Sequence, residues 1–321
     1  MAHWHEGFKD IEVKLISCVG DDLARQVVMF GQHGEFYQGL DEYSPDDPLA
    51  QKIVDEIIKG KTFPKYCLEG HSVVFDIQGI SRVNLAQLTR ERGFFCSESS
   101  AVRPLTQDFI VPLSIYRNKE WMQRLEKIQS EIEDLYVDMN LAGIPYPDSR
   151  YFGFHAQTIS LCYTAPYGFF SRSCNSRTEN NFADEINYVY RLMLRELKKE
   201  VAKCEDPLSK KLWNWLIPMC DKKGPYLRDA HFNNDFKRIP EPEGYEFPEP
   251  ANNDFRKSNW YYELIRIYKE EPDLLLPGEK EMVESWLECE KNGAEVPSTY
   301  DESFEKAPPV LIKQQDYYKK I

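Results

Sequence analysis

The residues best suited to chemistry lie close together: Gln87-Leu88-Thr89-Arg90-Glu91-Arg92, then Cys96-Ser97-Glu98-Ser99-Ser100-Ala101-Val102-Arg103. A glutamine and two arginines stand at the end of an expected helix, ahead of an expected loop of small hydroxyl residues. On a helix Gln87 and Arg90 share a face. The Ser/Ala loop can turn backbone N–H groups toward a phosphate, and guanidinium groups add paired hydrogen bonds to the same oxygens. Charged helix ends beside serine turns also occur on ordinary solvated surfaces. The stretch alone leaves both readings open.

The elements that must position these residues can be read from periodicity. Residues 11–19 alternate as a strand does, and Gly20-Asp21-Asp22 then starts a helix with a capping carboxylate. Residues 49–58 have helical spacing through Ile53, Ile57 and Ile58, and 71–77 (HSVVFDI) read as a buried strand. A helix over 81–92 follows, with Ser81 as its N-cap, and 108–112 are a short strand candidate. The clearest amphipathic helix covers 120–141. Its Trp121, Leu125, Ile128, Ile132, Leu135 and Met139 form one apolar stripe expected to face the core. A second covers 182–201 through Phe182, Ile186, Val189, Met193, Leu197 and Val201. Strands and long helices in this order predict a mixed α/β domain over residues 1–224. Residues 239–250 hold four prolines and four glutamates, which predicts extended loop, and helical patterns return at 258–271 and 279–291. The stretch 225–321 therefore reads as a Pro-rich loop and helical C-terminal extension.

Composition excludes several classes. The chain has 321 residues, 42% hydrophobic and 13% aromatic, enough for a substantial core and not a disordered profile. A formal net charge of -13 argues against a nucleic acid polymer as partner, since phosphate binding needs a positive surface, but leaves room for a small phosphorylated ligand in a local basic pocket. Eight cysteines, at 18, 67, 96, 162, 174, 204, 220 and 289, form no Cys-x-x-Cys pair and no Cys/His cluster with zinc spacing, so no metal is expected. Reduced thiols in a cytoplasmic protein are the simplest account. The first ten residues carry His3, Trp4 and His5 but no apolar run, so a signal peptide is not expected. No stretch approaches the roughly 20 apolar residues that span a bilayer, so a soluble protein away from the membrane is expected.

The arginine-rich stretch resembles the signature of the flavin-dependent thymidylate synthases: Gln, two residues, Arg-His-Arg, then Ser, Asn, Glu and Ser at fixed offsets. Gln87, Arg90, Arg92, Glu98 and Ser100 fall in register. Other landmarks recur at similar spacing. His71 stands sixteen residues before Gln87, where the family has the histidine opening its sheet strand. Gly143-Ile144-Pro145 precedes Arg150, which stands twenty-seven residues before Arg177. Asn175-Ser176-Arg177 and then Glu185-Ile186 resemble the family's Asn-x-Arg and the Glu-Ile of its next helix. The resemblance spans roughly residues 10–205. It has departures. Glu91 replaces the central histidine, and Phe95 and Ser97 stand where Ser and Asn are usual. Val102-Arg103 takes the place of Arg-Tyr, Pro166-Tyr167-Gly168 that of a flavin-holding Asn-x-Arg, and Arg172 that of an asparagine. Nucleotide-side positions survive better than flavin-side ones.

The resemblance implies a homotetramer with a central twisted sheet flanked by helices, and active sites shared between subunits. It implies FAD, NADPH and methylenetetrahydrofolate as cofactors, and transfer of one carbon to C5 of a pyrimidine deoxynucleotide monophosphate, dUMP above all. Arg177 would be the catalytic residue, at the pyrimidine carbonyl and N3 edge. Gln87, Arg90, Glu98, Ser99, Ser100, Ala101, Arg103 and Arg150 would bind the nucleotide with it. Cys67, His71, Arg90, Glu91, Arg92, Arg172, Asn175 and Asn181 would face the flavin. No catalytic cysteine is implied, and Cys96 and Cys174 read as small buried filler. His155 is expected to pack near Arg150. Two alternatives stay open: a dUMP or dCMP hydroxymethylase for nucleotide hypermodification, motivated by the altered signature and the C-terminal region, and a non-catalytic nucleotide-binding paralogue, motivated by the lost flavin-side residues.

Overall fold

In a computed structural model, residues 2–31, 42–59, 70–90, 95–98, 108–116, 118–178, 184–220, 259–276 and 278–293 are described. Their centre is a four-stranded antiparallel sheet of order β2-β3-β6-β4, made of β2 (Glu12–Ser17), β3 (Ser72–Ser81), β4 (Phe95–Glu98) and β6 (Thr158–Pro166). Strand period two decides its faces. Val73, Phe75 and Ile77 of β3 and Ile159, Leu161, Tyr163 and Ala165 of β6 are buried, while Ser72, Gln78 and Cys162 are exposed on the other face. A bulge breaks the β3–β6 register between Gln78 and Ile80. Gly79 there has φ +78°, and a Cβ would stand 3.2 Å from the Asp10 carbonyl, so only glycine fits without strain. A second, two-stranded parallel sheet pairs β1 (His3–Glu6) with β5 (Asp108–Val111).

Helices cover the buried face in two tiers. Nearest are α7 (Tyr167–Arg177) and α8 (Asp184–Lys203), which touch the strands; behind them lie α9 (Pro207–Cys220), α1 (Leu23–Gly31) and α2 (Pro48–Ile58). The stripe of α8 is buried through Ile186, Val189, Met193, Leu197 and Val201. Asp47 caps α2, accepting from Leu49 N at 2.7 Å. The start of α1 departs from expectation. Asp21 does not cap it; its carboxylate accepts from Glu205 N and Asp206 N, both at 2.8 Å, ahead of α9. Ser209 Oγ accepts from Ala24 N instead, so α9 supplies the cap from across the core.

The 23-residue helix α5 (Lys119–Leu141) forms as its periodicity predicts, but its stripe does not enter the core. Trp121, Ile128 and Leu135 are exposed, Leu125, Ile132 and Met139 are half-buried, and Gln129 is the one buried residue recorded for the helix. Exposed apolar side chains continue at the last helical residue, Leu141, and beyond it at Ile144, Tyr146, Tyr151 and Phe152. Periodicity reports an apolar face; it does not say what that face packs against.

The C-terminal helical patterns form α10 (Asn259–Glu270) and α11 (Glu279–Lys291), and Leu264, Ile267, Leu276, Val283 and Trp286 are buried in the same core as the sheet. A buried charge cluster fastens them. Glu279 accepts from Arg191 at 3.2 Å and from Arg195 at 2.8 and 3.1 Å, and takes Leu276 N at 2.8 Å. The mixed α/β class with C-terminal helices is thus as expected from sequence.

Candidate functional site

The arginine-bearing stretch begins where β3 runs into α3 (Arg82–Leu88). Ser81 is the N-cap, its Oγ accepting from Asn84 N at 3.0 Å. Glu185 of α8 grips the same residue: Ser81 N donates to Oε1 at 2.6 Å and Ser81 Oγ to Oε2 at 2.5 Å. The Glu of the Glu185-Ile186 landmark therefore fixes the start of the helix that carries Gln87. At the far end Gln87 is half-buried, Thr89 is the C-cap, and Arg90 is exposed just beyond the last turn. The helix is shorter than the expected 81–92.

Burial pushes the Glu185 carboxyl up from 4.5 to about 6, and its bonds from Ser81 oppose that only in part. A raised folded value means the native chain holds a proton that the unfolded chain has released. This contribution to stability is full below pH 4.5 and is lost as pH rises through about 6, by about 2 kcal/mol. Glu185→Gln keeps a carbonyl oxygen for Ser81 N and removes the titration. Urea midpoints at pH 4.5 and pH 7 are expected to lie closer together in the variant than in the parent; an equal gap in both would contradict this account of Glu185.

Arg150 is presented by a turn. Gly143, with φ +86°, ends α5, with Ile144 N donating to Met139 O at 3.0 Å and Gly143 N to Asn140 O at 3.0 Å. Pro145 then starts the short helix α6 (Tyr146–Ser149), and Arg150 opens a 3-10 turn over Arg150–Phe152. Asn140 Nδ2 donates to Ser149 Oγ at 3.1 Å and closes this corner. Arg150 is half-buried, flanked in sequence by the exposed Tyr151 and Phe152. His155 is exposed, which corrects its expected packing role: the chain there runs out to the surface before β6.

Helix α7 gathers Arg172, Asn175 and Arg177. Arg172 is exposed, and Arg177, the last helical residue, is half-buried. The next residue, Thr178, is fixed by its amide and hydroxyl bonds to Cys174 O, at 2.9 and 2.7 Å, and its carbonyl accepts from the buried Arg191 at 3.1 Å. His71 stands just before β3, half-buried, with its carbonyl accepting from Tyr167 N at 2.8 Å; burial lowers its pKa, which favours the neutral ring. His71 and Ser81 bracket the two ends of β3, roughly 30 Å apart at strand rise.

Residues Cys96 to Glu98 lie in the edge strand β4, which pairs with β6, and not in the expected loop. Four residues are too few for alternation to register in sequence. Glu98 thus has a placed backbone. Cys67, Glu91, Arg92, Ser99, Ser100, Ala101, Arg103 and Asn181 lie outside the described residues. Cys174 is buried, as filler should be. Among the described residues, an open cavity of about 820 Å³ is lined by Asp22, Arg25, Gln26, Met29, Glu42 and Tyr43, none of them a sequence-predicted site residue. Sequence reasoning missed the Ser81–Glu185 link and the Arg191–Thr178 bond. The available signal for the second was a buried-stripe helix carrying Arg191 and Arg195 four apart.

The fold that carries these groups has a known counterpart. The chain is similar to the crystal structure of a UMP/dUMP methylase, PolB, from Streptomyces cacaoi, bound with 5-Br dUMP, with a TM-score of 0.51 and 18% identity, over 66% of this chain and 97% of that one. At this identity the likeness speaks for the fold. Residues 28–202 match the family described as thymidylate synthase complementing protein, and the chain belongs to that family, the flavin-dependent thymidylate synthases. No curated protein matches the chain. Among the described residues no helix is long and apolar enough to cross a membrane.

Proposed function

We propose that the protein transfers a one-carbon unit from methylenetetrahydrofolate to C5 of a pyrimidine deoxynucleotide, converting dUMP to dTMP with FAD and NADPH. What carries this reading is the family match over 28–202, within which the signature residues of the sequence fall. Gln87 and Arg90 at and just beyond the end of α3, and Arg150 on its Gly143-Pro145 corner, bind the nucleotide, with Glu98 at the end of β4 helping to orient it and Ser99, Ser100, Ala101 and Arg103 assigned to the phosphate. Arg177 sets a fixed cation against the pyrimidine edge and stabilises the negative charge that develops on the ring as C5 becomes nucleophilic.

His71, Arg172 and Asn175 fit a flavin dinucleotide by donor chemistry: a half-buried, neutral imidazole and an exposed guanidinium suit ring and phosphate contacts respectively. The family resemblance assigns Cys67, Arg90, Glu91, Arg92 and Asn181 to the flavin as well. Bound FAD supplies the redox chemistry of the transfer, and the protein's part is to orient nucleotide and folate around it. Residues 1–224 form the catalytic unit in this reading, and 225–321 are an extension whose α11 is tied to α8 through Glu279. Incubation of the protein with dUMP, methylenetetrahydrofolate, FAD and NADPH, followed by mass analysis of the nucleotide, tests the reading.

The active assembly is a homotetramer. The uncovered stripe of α5 supports this, since an apolar row of that length on a 23-residue helix is suited to a second copy of the chain. Ile128→Glu combined with Leu135→Glu is expected to lower the mass measured by light scattering to that of smaller species. A parent protein that is itself a monomer would contradict the assembly.

A further inference from the structure

We propose that His3, His5 and Asp108 form a binding site for a divalent transition-metal ion, separate from the nucleotide site. Extended β1 puts His3 and His5 on one face, and the parallel register sets Asp108 opposite His3. The two imidazole rings are 4.3 Å apart, and one ligand atom from each of the three residues lies within 4.8 Å of the others. Asp108 follows His3 by 105 positions, which is why sequence spacing concealed the group.

Two further features build the site. His5 Nδ1 bonds Asp10 Oδ2 at 2.8 Å. A carboxylate on one ring nitrogen is the usual outer partner of a metal-bound histidine; it holds the ring and leaves Nε2 free for the ion. On the opposite face of β1, Trp4 stacks on Phe109 with centroids 4.7 Å apart, so the strand pair stays together whatever the ligands do. His3 Nδ1 and Asp108 Oδ1 are 3.2 Å apart, already at the spacing of neighbouring ligands around one ion. Bonds of roughly 2.0–2.1 Å would need the group to contract to about 3.3 Å between ligand atoms. With the side chains of His3 and Asp108 65% and 55% exposed, this takes side-chain rotation and no backbone movement.

Two imidazoles with one carboxylate select zinc, nickel or cobalt over calcium or magnesium, and three protein ligands leave coordination positions for water. The ion would tie β1 to β5, the strand that follows the Ser99 to Arg103 stretch, and would stabilise the folded chain by mass action.

The test is zinc titration by calorimetry on the full chain without a polyhistidine tag, with thermal melting and zinc X-ray absorption alongside. The parent is expected to bind one zinc with nitrogen and oxygen neighbours and to melt at higher temperature with the ion. His3→Ala with His5→Ala should remove that site and the thermal shift while sparing any cysteine-bound zinc. Asp10→Asn should weaken it about tenfold, as loss of an outer-shell carboxylate does. Unchanged stoichiometry and affinity in the His3/His5 double variant, or a zinc environment in the parent made of sulfur alone, would overturn the proposal. Neither result bears on the proposed nucleotide chemistry.

Discussion

Arg177→Ala is expected to lower turnover by roughly 10²-fold or more, the effect of removing one preorganised charge-stabilising donor. The expectation rests on how the residue is held. Arg177 closes α7, and the peptide after it is fixed from two directions, by the Thr178 bonds to Cys174 O and by Arg191 on the Thr178 carbonyl. A guanidinium on so constrained a backbone needs little reorganisation when charge appears on the ring. Arg150 differs: it sits on a turn, at a position proposed to contact phosphate equally before and during reaction. Interactions made mainly in the transition state govern kcat, and those made equally in both states govern KM. Arg150→Ala should therefore chiefly raise KM for the nucleotide. Steady-state kinetics on both variants, with circular dichroism to establish folding, checks the division. A folded Arg177→Ala protein with normal turnover would remove the proposed role of this residue.

Glu279→Ala is expected to destabilise the fold by about 3–5 kcal/mol, because it removes a buried carboxylate from two buried guanidinium groups that it binds. Arg191 and Arg195 are 1% and 6% exposed at the side chain, and Glu279 is fully buried. The substitution also leaves Leu276 N without its acceptor. The effect should appear as a large drop in urea midpoint, accompanied by faster proteolysis between α9 and α10 as the C-terminal helices loosen. Glu279→Gln, which keeps the shape and one acceptor oxygen, should cost less. A change below about 1 kcal/mol in the alanine variant would mean that the cluster does not fasten these helices to α8.

Much of the frame was legible because period and chemistry agreed. In β3 the alternation of Val73, Phe75 and Ile77 with polar residues is that of a half-buried strand, and Ser81 at its end is a capping residue in both sequence and structure. The long apolar stripes of α5 and α8 gave two helices, and the helical pattern at 279–291 coincides with α11. What escaped notice was either short or long-range. Strand β4 has four residues, and β1 holds two histidines and a glutamate that no β propensity favours; both exist because a partner strand is offered elsewhere. The helix start at Gly20 illustrates the second kind. Asp21 and Asp22 look like local caps, yet the cap comes from Ser209, which no window of sequence connects with Ala24.

Within the site, the residue types were legible and their supports were not. The order Gln87, Arg90, Arg150, Arg177 came from spacing against a family signature. That Glu185 holds α3 by its cap, and that Arg191 holds the end of α7, are facts of packing between residues 104 and 13 positions apart respectively. The α5 stripe marks the opposite case: the helix was read correctly, and its expected burial in this chain's core was not.

The central claim is that this chain adds one carbon to C5 of dUMP. The most direct measurement is mass spectrometry of the nucleotide after anaerobic incubation of the purified protein with dUMP, methylenetetrahydrofolate, FAD and NADPH. The account predicts a product heavier than dUMP by one methylene, with the C5 hydrogen lost from C5-deuterated substrate. A nucleotide heavier by a hydroxymethyl addition instead would favour the hydroxymethylase alternative. Recovery of dUMP unchanged, with its C5 deuterium intact, from folded protein that demonstrably binds it would contradict the account and leave a nucleotide-binding protein on this fold.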